Sequence, residues 1–320
     1  MSQLKKSILI LGASSFLTKP LIKKLEENDF YKIICQSRSN LRHVLNTKSD
    51  IKFLEINYED KQYDCEIFKN CSYIINFVNA SELNKYEILN FRRFIKHVLS
   101  ISKASLIHIS SASVYGNCKN KVISEIMECS PKNKYQKNKL KDEIELQKIA
   151  NHLSIKIFIL RPTELICNKS LNGIKFIESY KSASKIKRYI IKSLYGKRLS
   201  HFVSSKYLVE NIKEIVYEDI KPGIYLVSQD NEELNSFYEI FEILDFKLNK
   251  YSKKSNFKIY LPIHFFFLIL YKIFRSSQIP PFSRFISNNP IIDPKDYLHF
   301  KKDFLEHIDY ILEKLKKNNE

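Results

Sequence analysis

The chain has 320 residues, only five of them glycine, against about 22 at average usage. That scarcity excludes collagen-like and Gly-rich linker designs, and 44% hydrophobic residues exclude an intrinsically disordered chain. The formal net charge of +18 is spread along the sequence, with no Arg-rich block or RNA-recognition signature, so nucleic acid is not an expected partner.

Cysteines stand at 35, 65, 71, 118, 129 and 167, with no C-x-x-C pair. This is neither a disulfide framework nor a zinc site, and no metal is expected. Reduced thiols and a cytoplasmic location follow as the default.

In chain order, Lys5-Lys6 and the apolar run to Leu11 imitate a signal peptide, but the run is short and Gly12-Ala-Ser-Ser15 follows at once. A buried first strand over Ser7–Leu11 is the better reading. Further strands are expected at Tyr31–Gln36, Ile51–Ile56, Ser72–Val78, Leu106–Ser110 and Ile155–Leu160. Helices are expected from Lys85 to Lys103 and from Pro131 to Asn151, with Ser130 as N-cap and Pro131 at the first helical position. Strand and helix in alternation predict a parallel, doubly wound sheet whose ligand lies at the carboxyl ends of the strands.

After residue 165 the alternation weakens. Ile224–Ser228 reads as a strand, Leu234–Leu244 as a helix and Asp296–Lys316 as a terminal helix, giving a smaller, partly helical lobe. Asn172-Gly173 reads as a turn. The run Ile259 to Phe274 is interrupted by Pro262, His264 and Lys272 and is too short to span a bilayer. It reads as an amphipathic or buried helix, and the flanking Lys253, Lys254, Lys258 and Arg275 leave a membrane-surface contact open as a lesser reading.

Three motifs carry chemistry. The first strand runs into Gly12-Ala-Ser-Ser-Phe-Leu-Thr18 and then a helical pattern, the context of a dinucleotide loop with phosphate at a helix N-terminus. Of the template glycines at 12, 15 and 18 only Gly12 is present; Ser15 and Thr18 hold the others. Small hydroxyl residues still let backbone N–H groups approach phosphate. The fifth strand closes on Ser110-Ser-Ala-Ser-Val-Tyr-Gly116, and Tyr135-Gln-Lys-Asn-Lys139 follows on the next helix. Tyr135 and Lys139, four apart, share a helix face. An ammonium beside a phenol favours the phenolate, and such a tyrosine can pass a proton to or from a hydroxyl while hydride moves. Ser111 at the strand's end can hold the reacting oxygen.

With these motifs the sequence resembles the extended short-chain dehydrogenase/reductases, the NAD(P)-dependent sugar-nucleotide epimerase/dehydratase family. Further markers are Ile74-Ile-Asn-Phe-Val-Asn-Ala80, Asn90 and Leu160-Arg-Pro162. The resemblance implies an α/β fold, a Rossmann-like doubly wound parallel sheet over residues 1–165, with a substrate-binding lobe over 166–320 packed on it. It implies Ser111, Tyr135 and Lys139 as the catalytic set. It places Gly12, Ser14, Ser15, Phe16 and Leu17 under the cofactor, with Arg38, Asn57, Phe77, Val78 and Asn79 around it, and adds Asn90, Tyr135, Lys139 and Pro162. The Asp-Glu pair of 4,6-dehydratases is Ala112-Ser113 here, so a dehydratase is not expected. The segments Arg198–Val203, Tyr225–Asp230 and Arg284–Asp293 resemble a UDP-sugar 4-epimerase and 4-ketoreductase branch of surface polysaccharide biosynthesis. The implied partner is a nucleotide-sugar substrate, and the implied assembly a homodimer.

Cofactor choice turns on the end of the second strand, where an acid suits the ribose of NAD and a base the 2′-phosphate of NADP. Gln36-Ser-Arg38-Ser39 has no acid, so NADP is favoured over NAD. Two other functions stay open: a catalytically silent NAD(P)-binding sensor or assembly subunit, suggested by the depleted glycine loop, and a reductase of a non-sugar alcohol such as a hydroxysteroid.

Overall fold

The computed structural model describes residues 6–28, 30–39, 51–59, 65–79, 83–116, 121–167, 171–185, 187–188, 191–192, 198–249, 283–297 and 299–317. The chain divides into two compact units. One comprises Met1–Val114, Pro131–Pro162 and Leu208–Tyr225, and the other comprises Tyr115–Ser130, Thr163–Tyr207 and Leu226–Glu320.

The first unit is built on strands β1 (Lys6–Leu11), β2 (Tyr31–Ser37), β3 (Lys52–Glu55), β4 (Cys71–Asn76), β5 (Ser105–Ile109) and β7 (Ile157–Pro162). All of their pairings are parallel. With β10 (Gly223–Val227) they make a seven-stranded sheet in the order β10-β7-β5-β4-β1-β2-β3. Strands buried on both faces read as unbroken apolar runs, which is why Ile8, Leu9, Ile10 and Leu11 are all fully buried. Among the described residues, the helices of this unit include α1 (Thr18–Leu25), α2 (Glu66–Lys69), α3 (Lys85–Ser102) and α4 (Lys134–Leu153). Phe91, Phe94, Ile95, Val98 and Leu99 of α3 form the apolar stripe that packs with Leu9, Leu11, Ile34, Ile74 and Leu106 of the strands. The chain reverses direction across the sheet between β1 and β4, the point where a doubly wound sheet opens a crevice.

Helix α4 starts three residues later than Ser130 and Pro131 predict. Asn133 caps it: its side chain accepts from Gln136 N at 2.9 Å and the Gln136 side chain accepts from Asn133 N. A reciprocal capping box satisfies two orphan donors, where Ser130 would satisfy one.

The second unit contains β6 (Val122–Ile123), β8 (Glu164–Ile166), β9 (Phe202–Ser204) and β11 (Arg284–Phe285), paired in parallel as β8–β9 and β6–β11. Its helices among the described residues include α5 (Leu171–Ser182), α7 (Phe237–Asn249) and α8 (Phe300–Lys317), while α6 (Ser205–Tyr217) falls mostly in the first unit. Ile177, Tyr180, Phe241, Leu244, Phe304 and Ile308 make its core. Asn235 pins that core: its carbonyl accepts from Phe202 N at 2.8 Å and its amide donates to Phe202 O and Gln229 O.

Three expectations are corrected here. Gly173 lies inside α5 rather than in a turn, because Ile177 and Tyr180 one and two turns on are core residues that hold the helix in place. The helix expected from Leu234 begins at Phe237, since Ser236 caps it by accepting from Glu239 N at 3.3 Å. The terminal helix is split: a 3-10 turn over Pro294–Asp296, closed by the Asp293 side chain on Lys295 N, precedes α8. The expected helix at 259–274 and Gly196 lie outside the described residues. Among those described, no helix is long and apolar enough to cross a membrane, and no cluster of His, Cys, Asp or Glu could hold a metal ion.

Candidate active site

The β1–α1 turn comes first in the chain. Gly12 has φ +69, and a Cβ there would lie 3.0 Å from Val78 N and 3.2 Å from Phe77 C. The first loop thus presses on the end of β4 at the switch point, which only glycine permits. Behind the loop, Ala13 N donates to Gln36 O at 2.9 Å, Ser15 N to Gly12 O and Thr18 N to Ser15 O, each at 3.0 Å. Ser15 turns its hydroxyl inward and accepts from Leu17 N at 3.3 Å. Ser14 is exposed; Phe16 is half-buried and Leu17 buried.

This turn fits a dinucleotide's diphosphate. Helix α1 has no side-chain cap at its N-terminus and no acid in its first turn. Its positive end is therefore open to an anion. Thr18 Oγ1, fully buried where the template expects glycine, has no hydrogen-bond partner among the described residues.

Gln36 is a residue the sequence reading missed. Fully buried, it donates from its amide to Ile56 O at 2.8 Å and accepts from Tyr58 Oη at 3.2 Å and Gly12 N at 3.4 Å. One amide thus ties the glycine turn to the ends of β2 and β3. Burial pushes the Tyr58 phenol up to about 12. At the rim, Arg38 Nη1 contacts Glu87 Oε1 at 3.0 Å. Asn57 is exposed, and Phe77, Asn79 and Asn90 are half-buried. Val78 is buried, its N–H donating to Asn76 Oδ1 at 3.0 Å.

The end of β5 carries the serine motif. Ser111 Oγ donates to Ser113 Oγ at 2.9 Å and accepts from Ser113 N at 3.1 Å, opening a 3-10 turn over Ala112–Tyr115. On α4, Tyr135 is 41% exposed while Lys139 is 7% exposed, with Nζ donating to Ile109 O at 3.2 Å. The lysine is thus anchored to the strand that delivers Ser111, and the tyrosine one turn earlier is exposed. Pro162 ends β7 and is buried.

Beneath α4 lies a polar layer that the sequence reading also missed. Arg161 Nη2 and Nε bind Glu143 Oε2 and Oε1 at 2.6 Å and 3.1 Å, and the Ser110 hydroxyl donates to the same carboxylate. Asn76 and His108 Nδ1 pair at 3.0 Å. Burial, with Lys139 nearby, holds His108 down to about 3, so it is neutral. Arg92 binds Asp142 at 3.0 Å. Glu143 and Arg161 left a trace in the sequence: Glu143 stands four residues after Lys139 on one helix face, and a charge stands one residue before the end of the otherwise apolar β7.

A model of the NAD dependent epimerase/dehydratase family matches residues 8–200. A search of curated proteins finds no match. Among solved structures, a UDP-glucuronic acid 4-epimerase from Bacillus cereus in complex with NAD superposes with a TM-score of 0.64 at 16% identity, over 95% of this chain and 96% of that one. The Bordetella bronchiseptica enzyme WbmG with NAD gives 0.62 at 13% identity, over 97% and 94%. Vestitone reductase from alfalfa gives 0.59 at 16%, over 78% and 84%. These likenesses show a shared Rossmann-like fold, and the match over residues 8–200 shows that the chain belongs to the NAD dependent epimerase/dehydratase family.

Proposed function

We propose that this chain is an NAD(P)-dependent oxidoreductase or epimerase acting at C4 of a nucleotide-linked sugar in surface polysaccharide biosynthesis. The observation that carries the reading is the pairing of a buried Lys139, fixed to Ile109 O, with an exposed Tyr135 one turn away. A lysine is buried in this way only when its charge is used or paired. When bound, the nicotinamide supplies or takes up hydride at the sugar carbon. The residues do the rest. Tyr135 gives or takes the proton at the sugar oxygen, Lys139 keeps a positive charge beside that phenol, and Ser111 holds the oxygen. The uncapped N-terminus of α1 faces the diphosphate with Gly12, Ser14, Ser15, Phe16 and Leu17. Val78 and Pro162, with Phe77, Asn79 and Asn90, line the cofactor, and Arg38 draws the preference towards NADP(H). In this reading residues 1–165 bind the dinucleotide, residues 166–320 supply the substrate side, and the protein works as a cytoplasmic homodimer. Support comes from the family match and from the fold shared with an NAD-bound UDP-glucuronic acid 4-epimerase and with the NAD-bound enzyme WbmG.

The test is direct. Purified protein is incubated with NAD(P)(H) and a panel of UDP-, dTDP- and GDP-sugars, 4-keto sugars included, and products are followed by NMR. Turnover that Tyr135→Phe abolishes, with dinucleotide binding retained, supports the reading. Turnover untouched by Tyr135→Phe overturns the mechanism, and a bound dinucleotide with no turnover favours the silent binding protein.

A further inference from the structure

We propose that Glu87 sets the dinucleotide preference by opposing Arg38 for the 2′-phosphate of NADP(H); this rests on reading the β1–α1 turn as the dinucleotide site. Arg38 follows β2, whose Gln36 pairs with Leu11 and receives the N–H groups of both Gly12 and Ala13. Arg38 therefore stands just past the carboxyl edge, two residues after the one that holds the glycine turn, where a ribose 2′ substituent is recognised. It is not a lone charge, because Glu87 Oε1 binds Arg38 Nη1 at 3.0 Å.

Of the two side chains Glu87 is the fixed one. Its Oε2 accepts from Asn84 N at 2.8 Å, and Asn84 Oδ1 accepts from Tyr86 N and Glu87 N at 2.9 Å and 3.0 Å, a complete capping box at the start of α3. A carboxylate at that place also lies in the favourable field of the helix N-terminus. Side-chain exposure is 23% for Glu87 and 51% for Arg38, so the arginine is the arm and the glutamate the post. A 2′-phosphate carries about −1.5 to −2 charges near neutral pH. To reach Arg38 it must share the guanidinium with a carboxylate of its own sign. A 2′-hydroxyl meets no such conflict and can donate to that carboxylate. Arg38 alone would select NADP(H); the pair pulls selection back towards NAD(H).

The experiment measures dissociation constants for NADH and NADPH by fluorescence titration on the full chain, without any turnover. Glu87→Gln is the informative variant, since glutamine at the third helical position preserves the capping box. A single charge about 6 Å from a dianion in water changes affinity on the order of tenfold. The expected result is that Glu87→Gln tightens NADPH about tenfold relative to NADH. Arg38→Ala moves the ratio the opposite way, and about 1 M salt erases most of both shifts. An unchanged NADPH-to-NADH ratio in Glu87→Gln, with both dinucleotides still bound, overturns the inference and leaves the dinucleotide site standing. Equal weakening of both, with lowered thermal stability, also overturns it, because Glu87 is then only a cap. If the parent chain binds neither dinucleotide, the reading of the site falls and the inference with it.

Discussion

Arg161 and Glu143 form a two-pronged ion pair, 2.6 Å and 3.1 Å, in which the side chains are 4% and 1% exposed. The pair joins β7 to α4, the helix that carries Tyr135 and Lys139, and Ser110, directly after β5, donates to the same carboxylate. Three elements of the site are therefore locked through one buried charge.

Breaking the pair from one side strands the other charge. Arg161→Ala should cost about 3–5 kcal/mol, a large share of the roughly 5–15 kcal/mol that holds a domain folded. Replacing both, as Glu143→Leu with Arg161→Met, should cost less than either single alanine variant, because no charge is left buried. Urea unfolding of the three variants checks this. A double variant as unstable as the sum of the singles would show that the pair is not coupled.

Gly12→Ala tests the contact at the switch point. The substitution forces a left-handed backbone on alanine, at about 1–2 kcal/mol, and sets its Cβ 3.0 Å from Val78 N, which cannot swing away as a side chain could. The loop or the end of β4 has to shift. The expected outcome is a modest loss of stability with a loss of NADH affinity on the order of tenfold, since 1.4 kcal/mol corresponds to a factor of ten. Titration with NADH that finds unchanged affinity would separate the turn from cofactor binding.

What the sequence revealed and what it hid follow from the range of the interactions. β1, β2, β4, β5 and β7 are buried on both faces, so their apolar runs mark them without any knowledge of the fold. Gly12, Ser111, Tyr135 and Lys139 lie in local patterns of a few residues. The partners that fix those residues do not: Glu143 and Arg161 are 18 residues apart, Arg38 and Glu87 49, and Gln36 reaches Gly12 across 24. α4 is capped at Asn133 rather than at Ser130 because the capping box with Gln136 is formed, and only hydrogen bonding reveals that.

Lys139 anchors the proposed chemistry. Lys139→Met keeps the apolar stem and removes the donor to Ile109 O. A general acid–base set that loses its charged member should lose on the order of 100-fold in rate. The stability cost of one lost hydrogen bond to a charged donor is about 1.5–3 kcal/mol. Steady-state rates set against urea midpoints distinguish these two effects. Loss of rate in proportion to loss of folded protein would mark Lys139 as structural only.

Burial holds His108 down to about 3 and His307 down to about 4, the latter among Leu165, Phe176, Phe304 and Ile308. An unfolded histidine titrates near 6.5. Below that value the unfolded chain binds two protons that the fold refuses, so stability falls with falling pH through the window from about 6.5 towards 3. At pH 5 each histidine should cost about 2 kcal/mol relative to pH 7.5, since each pH unit is worth about 1.4 kcal/mol. Asp142 acts in the opposite sense: burial raises its carboxyl despite Arg92, so the fold takes up that proton before the unfolded chain does, and stability gains as pH falls. Urea midpoints at pH 7.5 and 5.0 should therefore differ in the parent chain and converge in the double variant His108→Gln, His307→Gln. If the double variant keeps the full acid sensitivity, the loss originates in other groups, and the two histidines are not the acid-labile element of the fold.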